Sequence, residues 1–530
     1  MKLMLIPVAF LGSVCGTTEA ATYIPTRLDD PAGNACPPQD CSLRGAVLAA
    51  NASLGSDRIE LGAGTYALTD GELPIMEALE IVGLAAGVSH IDAGGLSIIA
   101  HAFEDVPLTM RKLSLEGPPL GRAPSMPHAP VGAARIAIKA DGGATLTLSA
   151  MRVVAEAGSV EIVNNTASDL IVADSLLWRV LASQPAGSIT LTDSDLGFGI
   201  FGNVNPGGSE VDINILRSMI AGDDITSSGL MIETRGSVHM AYSDMVNTTN
   251  GLLFQGDSPS EVVISHLGYR SNWSPVVANV PLEITISDSD FSNNVAVFES
   301  PGAIIAGPQG HWQISDSAFI NNLGNDDLGG AILVDVYGPT EVIIENSTFS
   351  GNSFTDAAAS TGARGAAIGV QGGAQIPKLT LRHVTMVAPT TLPAGVEGTL
   401  LAIRGTDNQS HVTVHSSILR GGCSFLPLSS GFDAAKGNIE SSGNTCLLNA
   451  ATNIVSATLG ALALGSLDTH GGWTRNYLPG GHSIAIDAAP SAFCPPADQR
   501  HYVRPSIAAC DVGAIEVGAL GDAVFIDEFE

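Results

Sequence analysis

Two Asp-Ser-Asp triplets, Asp193–Asp195 and Asp288–Asp290, are the clearest candidates for chemistry in this sequence. Down one column of a repeated pattern, Asp174 falls next to Asp193 and Asp288 falls next to Asp316. Carboxylates stacked about 4.8 Å apart repel each other by roughly 1 kcal/mol in water. Splaying into screening solvent is the simplest relief, and the alternatives are a proton held at raised pKa or a hard cation such as calcium. The candidate calcium ligands are Asp193, Asp195, Asp288, Asp290 and Asp316.

Motifs that would identify a catalytic site are incomplete, so the catalytic residues stay unassigned. Gly222–Ile225, with sequence GDDI, resembles the paired-aspartate motif of polygalacturonases, but no Gly-His-Gly or Arg-Ile-Lys triplet follows it, and an acidic turn is the simpler interpretation. Arg217, one of few basic candidates for the base of a lyase, is interpreted as a solvated side chain. His411 and His415 are about 13 Å apart on one strand face, too far for one metal ion. The tryptophans can serve as sugar platforms, although packing is the simpler role for each: Trp178, Trp273, Trp312 and Trp473.

The elements that must position these residues are copies of one short pattern. ITISDSDFSNN begins at Ile284, WQISDSAFINN at Trp312 and VIIENSTFSGN at Val342. Apolar residues two apart indicate a strand with one buried face, and the constant offset of Ser, Phe and Asn indicates that the copies stack. This register predicts an inward stack of phenylalanines and a ladder of asparagine amide hydrogen bonds. The aligned sets are Ile286, Ile314 and Ile344; Ser289, Ser317 and Ser347; Phe291, Phe319 and Phe349; and Asn294, Asn322 and Asn352.

Further copies extend this pattern over most of the chain. The positions equivalent to Ile286 are Leu148, Val172, Leu191, Ile215, Met240, Ile264, Ile314, Ile344, Leu381 and Val414. Six steps from Leu148 to Ile286 cover 138 residues, or 23 per step, and later steps of 28, 30, 37 and 33 residues indicate loops inserted at one corner. Three short strands per step predict an all-β fold, a single-stranded right-handed parallel β-helix or solenoid.

Two other architectures fit the pattern less well. A leucine-rich repeat would need leucine at most apolar positions and a nearly constant repeat length. A transmembrane β-barrel attached to the solenoid would need a series of ~10-residue alternating strands in the C-terminal region.

Both ends of the chain carry signs of export. Lys2, the apolar run Leu3–Val14 and small residues up to Ala20 predict a signal peptide over residues 1–20, and a lipoprotein signal ending at Cys15 is the alternative. No later stretch offers ~20 uninterrupted apolar residues, so we expect no transmembrane segment after signal removal. An even number of remaining cysteines suggests disulfide-stapled caps at the two ends. Nearest-neighbour pairing joins Cys36 with Cys41, Cys423 with Cys446, and Cys494 with Cys510.

Two stretches also resemble known families. CSLRGAVLAAN, from Cys41, is similar to the CSLREA motif that begins many exported bacterial right-handed β-helix proteins, with Gly45 in place of Glu. The stretch from Leu459 to Glu516 resembles the choice-of-anchor Q domain that closes many such surface proteins, which implies a secreted or cell-surface protein with no reaction attached. The matching residues are Gly471, Gly472, Thr474, Leu478, Pro479, Ile486, Asp487, Asp498, Gln499, Arg500, Arg504, Pro505, Cys510, Asp511, Gly513 and Glu516.

These observations predict five regions and a binding function. We expect a signal peptide at 1–20, an N-terminal cap at 21–75, the β-helix at 76–425, a choice-of-anchor Q-like cap at 426–516 and an acidic tail at 517–530. The net charge of −30, from 23 Lys and Arg against 53 Asp and Glu, argues against nucleic acid as a partner. We expect a monomer that binds carbohydrate or another surface, with calcium the only cofactor to consider. The alternative is a polysaccharide lyase or glycoside hydrolase of the pectin-degrading type.

Overall fold

The computed structural model of the protein describes residues 20–518 with internal gaps. The gaps are 32–35, 93–97, 104, 117–135, 141–144, 155–159, 165–168, 184–185, 203–209, 223–227, 298, 308, 335–338, 356–363, 373–376, 391–398, 405–410 and 426–430. The predicted signal peptide up to residue 19, the acidic tail from residue 519 and the Asp223–Asp224 pair therefore lie outside the described residues.

The chain winds into a single-stranded right-handed parallel β-helix, as its repeats predict. Each coil gives one strand to a 16-stranded parallel sheet, called the first sheet, and then one or two strands to a 28-stranded second sheet. The strands of the first sheet are Thr22–Tyr23, Asp57–Glu60, Leu79–Val82, Leu108–Arg111, Leu146–Ser149, Leu170–Ala173, Ala186–Thr192, Glu210–Leu216, Ser237–Ala241, Glu261–Ser265, Glu283–Ser287, His311–Ser315, Glu341–Glu345, Lys378–Arg382, His411–His415 and Ala434–Lys436.

The second sheet covers the other two sides of the coil. Two long strands, Leu176–Ser183 and Asp195–Gly202, belong to both of these sides, because each continues from one side to the next. Besides these two, the strands on the second side of the coil, which comes after the first sheet along the chain, are Gly64–Ala67, Ser89–Asp92, Ser114–Glu116, Arg152–Val154, Met219–Ala221, Asp244–Val246, Gly268–Arg270, Asp290–Ser292, Ala318–Ile320, Thr348–Ser350, Thr385–Val387, Ile418–Arg420, Ile439–Ser441 and Ile454–Ala457. The strands of the third side are Leu73–Ile75, Ile98–Ala102, Ile136–Ala140, Val160–Asn164, Gly229–Glu233, Leu252–Phe254, Val276–Ala278, Ile304–Ala306, Ile332–Val334, Ile368–Gln371, Thr399–Arg404 and Gly422–Phe425.

The strand register confirms the alignment of the repeats. Ile286 pairs with Ile264 on one side and with Ile314 on the other, and all three are buried. Phe319 stacks between Phe291 and Phe349, with ring centroids 4.9 and 4.6 Å apart and nearly parallel planes. Adjacent side chains of the asparagine set bond to each other at 2.8 and 2.9 Å. The inward phenylalanine stack and the amide ladder are therefore both confirmed.

A ladder of buried serines closes the turn between the two sheets. The Ser317 hydroxyl accepts a hydrogen bond from the Ser289 N–H at 3.2 Å and donates to the Ser315 carbonyl at 2.6 Å. The same arrangement recurs in other coils and lets the chain turn without leaving a buried N–H unpaired.

Replacing Ser317 with alanine should destabilise the protein by about 1–3 kcal/mol, because the Ser289 N–H loses its acceptor in a buried turn. Urea denaturation of the variant measures this loss. Ser287→Ala, at a partly exposed position of the adjoining strand, is the matched control and should change stability by less than about 0.5 kcal/mol. Equal losses in the two variants would contradict the role of the ladder.

The N-terminal end of the solenoid is covered by the helix Leu43–Asn51. The Ser42 hydroxyl accepts a hydrogen bond from the Gly45 N–H at 3.0 Å, which caps this helix. The buried Arg44 guanidinium donates to both carboxylate oxygens of Asp30, at 2.7 and 2.8 Å. The structure contains disulfides between Cys36 and Cys41, Cys423 and Cys446, and Cys494 and Cys510.

The C-terminal residues 459–517, which we call the strap, leave the end of the solenoid and run back along its side. The strap holds the short helix Leu459–Leu462, an antiparallel pair of strands at Leu464–Asp468 and Asn476–Pro479, and the 3-10 helix Ser491–Phe493. A further two-stranded parallel sheet, Leu323–Gly324 with Ser353–Phe354, lies at another corner of the solenoid. Among the described residues, no helix is long and apolar enough to cross a membrane.

Candidate functional site

Three of the candidate aspartates, Asp193, Asp288 and Asp316, belong to one row of residues at the turn between the two sheets, which we call the turn column. Every member has a positive φ between 47° and 56°. The members are Lys112, Ala150, Asp174, Asp193, Arg217, Tyr242, His266, Asp288, Asp316, Asn346, His383 and Ser416. The left-handed region favours glycine, yet this column carries none from residue 112 to residue 416.

Positive φ at side-chain-bearing residues costs of order 1 kcal/mol each and is common at functional sites. Arg217 and Tyr242 lack the short polar side chain that makes this conformation easier for Asn and Asp. The turn column thus lines up diverse polar and aromatic side chains along one edge of the solenoid.

The first half of the turn column borders an open groove of about 650 Å³. Its charged lining comes from Lys112, Arg152, Asp174, Asp193 and Asp195, all of them exposed. Its apolar lining includes Leu84, Met151 and Leu176.

Arg217 compensates the charge of Asp193 at one end of this groove. Its guanidinium donates to both Asp193 carboxylate oxygens at 2.7 Å, so Arg217 is solvated, as the sequence predicted, and is also an ion-pair partner. This pairing lowers the pKa of Asp193 below its ordinary value. Asp195 lies one strand position into the second sheet and faces the groove beside Leu176.

The second half of the turn column lies beneath the strap. Trp473 packs edge-on against the rings of Tyr242 and His266, which stack on each other at 4.3 Å. The Thr474 hydroxyl donates to the Asp316 carbonyl at 2.7 Å, and the Asn346 amide donates to the Ala497 carbonyl at 2.9 Å. The strap therefore follows the column rung by rung.

More contacts hold the far part of the strap. Gln499 accepts a hydrogen bond from the Thr348 hydroxyl at 2.6 Å, and the Gly513 N–H donates to the Ser416 carbonyl at 2.8 Å. The Phe493 ring stacks on His415 at 3.8 Å.

Asp288, Asp316 and His501 form a cluster where the strap crosses the column. His501 Nε2 is 2.6 Å from Asp288 Oδ1, and one ligand atom from each of the three residues lies within 4.8 Å of the others. Hydrogen bonding to Asp288 raises the pKa of His501 to about 9. Burial, and then the nearby Asp288 charge, raise the pKa of Asp316 to about 7. A raised pKa at one carboxylate is among the reliefs of repulsion considered from the sequence.

The five candidate calcium ligands are divided between two places. Asp193 and Asp195 line the open groove, whereas Asp288 and Asp316 lie in the covered cluster. Asp290 accepts hydrogen bonds from the Arg475 guanidinium of the strap at 3.0 and 3.1 Å, so a cation already neutralises it. The structure thus brings together Asp288 and Asp316 but pairs Asp193 and Asp290 with arginines.

The remaining candidates take diverse positions. Trp312 is buried in the core, whereas the side chains of Trp273 and Trp473 are 40% and 51% exposed. The Trp178 side chain lies outside the described residues. His411 bonds to Asp433 at the surface.

Buried charged residues of the C-terminal segment build the interior of the strap. Arg500 donates to Asp498 at 3.0 and 2.6 Å, and both side chains are buried. The Arg504 side chain is fully buried, and its guanidinium lies 3.5 Å from the Glu516 carboxylate and donates to the Asp511 carbonyl. These charges therefore have a structural role in holding the strap together and against the solenoid.

Sequence reasoning did not identify His501, Trp473 or Arg475 as neighbours of the turn column. Each is at least 180 residues along the chain from the solenoid residue that it contacts, and none matches the repeat. The column itself was visible in the sequence, including His266 beside Asp288, but nothing in the repeat signals which half the strap covers.

No family model matches the chain, and no curated protein is similar to it in sequence. Among solved structures it is similar to tailspike protein 3 of bacteriophage CBA120, at 12% identity and a TM-score of 0.34, with 81% of this chain and 60% of that chain covered. The chain thus spans less than two thirds of the tailspike. The catalytic domain of a GH87 alpha-1,3-glucanase in complex with nigerose follows at 14% identity and a TM-score of 0.32, with 78% and 68% covered. Pectate lyase Pel9A is 13% identical with a TM-score of 0.26, and 94% and 97% are covered. Likenesses this distant assign no activity to the chain.

Proposed function

We propose that this chain is an exported carbohydrate-binding protein that holds a polysaccharide along the open half of the turn column. The observation that carries the proposal is the groove of about 650 Å³ lined by Lys112, Arg152, Asp174, Asp193 and Asp195. Binding sites for small polar chains are concave and combine apolar walls with a few placed polar groups. This groove has both.

The groove suits sugar hydroxyls because its charged side chains include donors and acceptors. Hydroxyl groups can accept from Lys112 or Arg152 and donate to the aspartates, and hydrogen bonds to charged groups are the stronger kind. From Lys112 to Tyr242 the column takes five steps of about 4.8 Å, a length of about 24 Å. Tyr242 and Trp473, 44% and 51% exposed, offer aromatic surface at the end of this path.

The ligand we favour is neutral rather than acidic. The chain carries a net charge of −30, and a field of this sign repels polyanions at long range. An extended neutral polysaccharide meets no such barrier.

Export and surface display are part of the proposal. Three disulfides fit an oxidising compartment outside the cytoplasm. The resemblances to the CSLREA motif and to the choice-of-anchor Q domain support a bacterial cell-surface or secreted protein. We retain a signal peptide at 1–20, an acidic tail at 517–530 and a monomer as the working unit, and we extend the proposed β-helix beyond 76–425 to include the sheet strands from Asp57–Glu60 to Ile454–Ala457.

Binding is favoured over catalysis by the state of the groove carboxylates. A glycosidase needs a carboxylic acid with a raised pKa as proton donor beside an ionised partner. Arg217 instead lowers the pKa of Asp193, which keeps that group ionised. A polysaccharide lyase or glycoside hydrolase remains the second candidate because carboxylates do line the groove.

Affinity electrophoresis or calorimetry with soluble starch, laminarin and galactomannan, and with polygalacturonate and alginate as acidic counterparts, tests the proposal. We expect at least one neutral polymer to bind, with no new reducing ends or unsaturated products. Arg152→Gln and Asp195→Asn should each weaken binding by roughly tenfold, because each removes a charge-assisted hydrogen bond.

Arg235→Gln is the matched control, since Arg235 is exposed and paired with Asp257 outside the groove lining. Its affinity should equal that of the parent chain. Binding that survives both groove substitutions would place the ligand elsewhere, and robust turnover of any polymer would replace the binding function with the enzymatic one.

A further inference from the structure

The cluster of Asp288, Asp316 and His501 has the composition of a metal site. Two carboxylates and an imidazole offer one nitrogen and two oxygen ligands within 4.8 Å of one another. A divalent cation that displaces the proton from His501 would bind the neutral imidazole and balance the charges of the two partly buried carboxylates.

A second observation points to the same place. Asn346 follows Asp316 in the turn column, and its side chain interacts with that of Asp316. Asn346 is 5% exposed, its amide nitrogen donates to the Ala497 carbonyl, and its Oδ1 atom has no hydrogen-bond partner. A buried carbonyl oxygen without a donor costs free energy, which a water molecule on a bound cation would recover by donating a hydrogen bond to it.

We propose that Asp288, Asp316 and His501 bind a divalent transition-metal ion, with zinc the best match, and that a water molecule completes the ligand set. The ion fastens the strap to the solenoid, because His501 belongs to the strap and Asp288 and Asp316 belong to successive coils. This inference is independent of the polysaccharide site, which lies on the open half of the column.

The donor set distinguishes zinc from calcium. Zinc binds imidazole and carboxylate in four-coordinate sites, whereas calcium takes six to eight oxygen ligands. The nearby carboxylate that would extend an oxygen-rich site, Asp290, is paired with Arg475. Of the five calcium ligands predicted from the sequence, only Asp288 and Asp316 are at this site, and His501 adds a nitrogen ligand.

Solvent access to the cluster and the position of the strap also fit a metal site. The His501 side chain is 57% exposed, so an ion can reach the cluster from solvent, while the Asp288 side chain is only 9% exposed. The Thr474 hydroxyl on the Asp316 carbonyl already holds the strap at this coil. Binding therefore needs small side-chain shifts, chiefly separation of His501 from Asp288.

Calorimetry of the full chain, dialysed against chelator and then titrated with zinc chloride or calcium chloride, tests the inference. We expect one zinc ion per chain and an increase in the melting temperature with zinc that calcium does not reproduce. His501→Gln and Asp316→Asn should each weaken zinc binding at least about tenfold. Zinc should also slow cleavage of the strap by a protease in the parent chain but not in these variants.

His482→Gln is the matched control, because His482 is an exposed histidine of the strap away from the cluster. It should bind zinc as the parent does. Equal melting in zinc and in chelator, or zinc binding that survives both substitutions, would overturn the site. Stabilisation by calcium alone would overturn the choice of metal. None of these results depends on whether a polysaccharide binds.

Discussion

Replacing Phe319 with alanine is expected to lower the free energy of unfolding by about 3–5 kcal/mol. The ring is fully buried and stacks on Phe291 and Phe349 at 4.9 and 4.6 Å, so truncation opens a cavity and removes two aromatic contacts. The surrounding coils are held in register by their strands and by the asparagine ladder, which limits collapse around the cavity. The loss in free energy of unfolding is therefore expected near the upper end of the range for a large-to-small core substitution.

Phe349→Ala is the matched comparison, since Phe349 stacks on Phe319 while its partner in the next coil is Met386. It should destabilise by about 0.5–1.5 kcal/mol less, the value of one aromatic pair. Urea denaturation measures both variants, and hydrogen exchange in residues 283–350 shows whether the loss is local, as expected for a repeat protein. Losses below 1 kcal/mol in Phe319→Ala would contradict the stacked core.

Replacing Arg504 with methionine is expected to detach the strap at a cost of about 3–5 kcal/mol, because it leaves buried charge without its partner. The Arg504 side chain is fully buried, lies 3.5 Å from Glu516 and donates to the carbonyls of Asp511 and Gly513 at 2.9 and 2.8 Å. It also lies 2.9 Å from His383 in the turn column, so it joins the interior of the strap to the solenoid.

Protease cleavage within residues 459–517 and hydrogen exchange of the same segment measure this detachment. Arg235→Met removes an exposed ion pair and should cost no more than about 1 kcal/mol, which controls for loss of an arginine as such. Arg504→Lys retains the charge without the planar fork and should be intermediate. A strap as well protected in Arg504→Met as in the parent chain would show that the buried charges are dispensable.

The division of the turn column into two halves connects the strap with the proposed function. One edge of the solenoid carries both a groove open to solvent and a row of similar residues covered by the strap. Detaching the strap by Arg504→Met should leave the contacts within the groove unchanged, so any loss of affinity measures the contribution of Trp473, the strap residue at the end of the binding path.

The sequence alone determined the solenoid, because a parallel β-helix makes its contacts between equivalent positions of successive coils. Ile286, Phe319 and Asn322 each meet their counterparts one coil away, so a repeat in the sequence is a direct record of these contacts. The positions of the aspartates in one column followed from the same register.

The tertiary structure alone decided what those aspartates contact. Arg217 contacts Asp193 from the next coil of the solenoid. Arg475 contacts Asp290, and His501 contacts Asp288, from positions 185 and 213 residues further along the chain. A strap that crosses many coils makes each contact once, so it leaves no period in the sequence. Its docking is set by the buried charges around Arg504 and by the hydrogen bonds it forms with backbone and side-chain atoms of the turns. For that reason the sequence predicts a column of carboxylates, and only the folded chain separates an open polar groove from a covered cluster of two aspartates and a histidine.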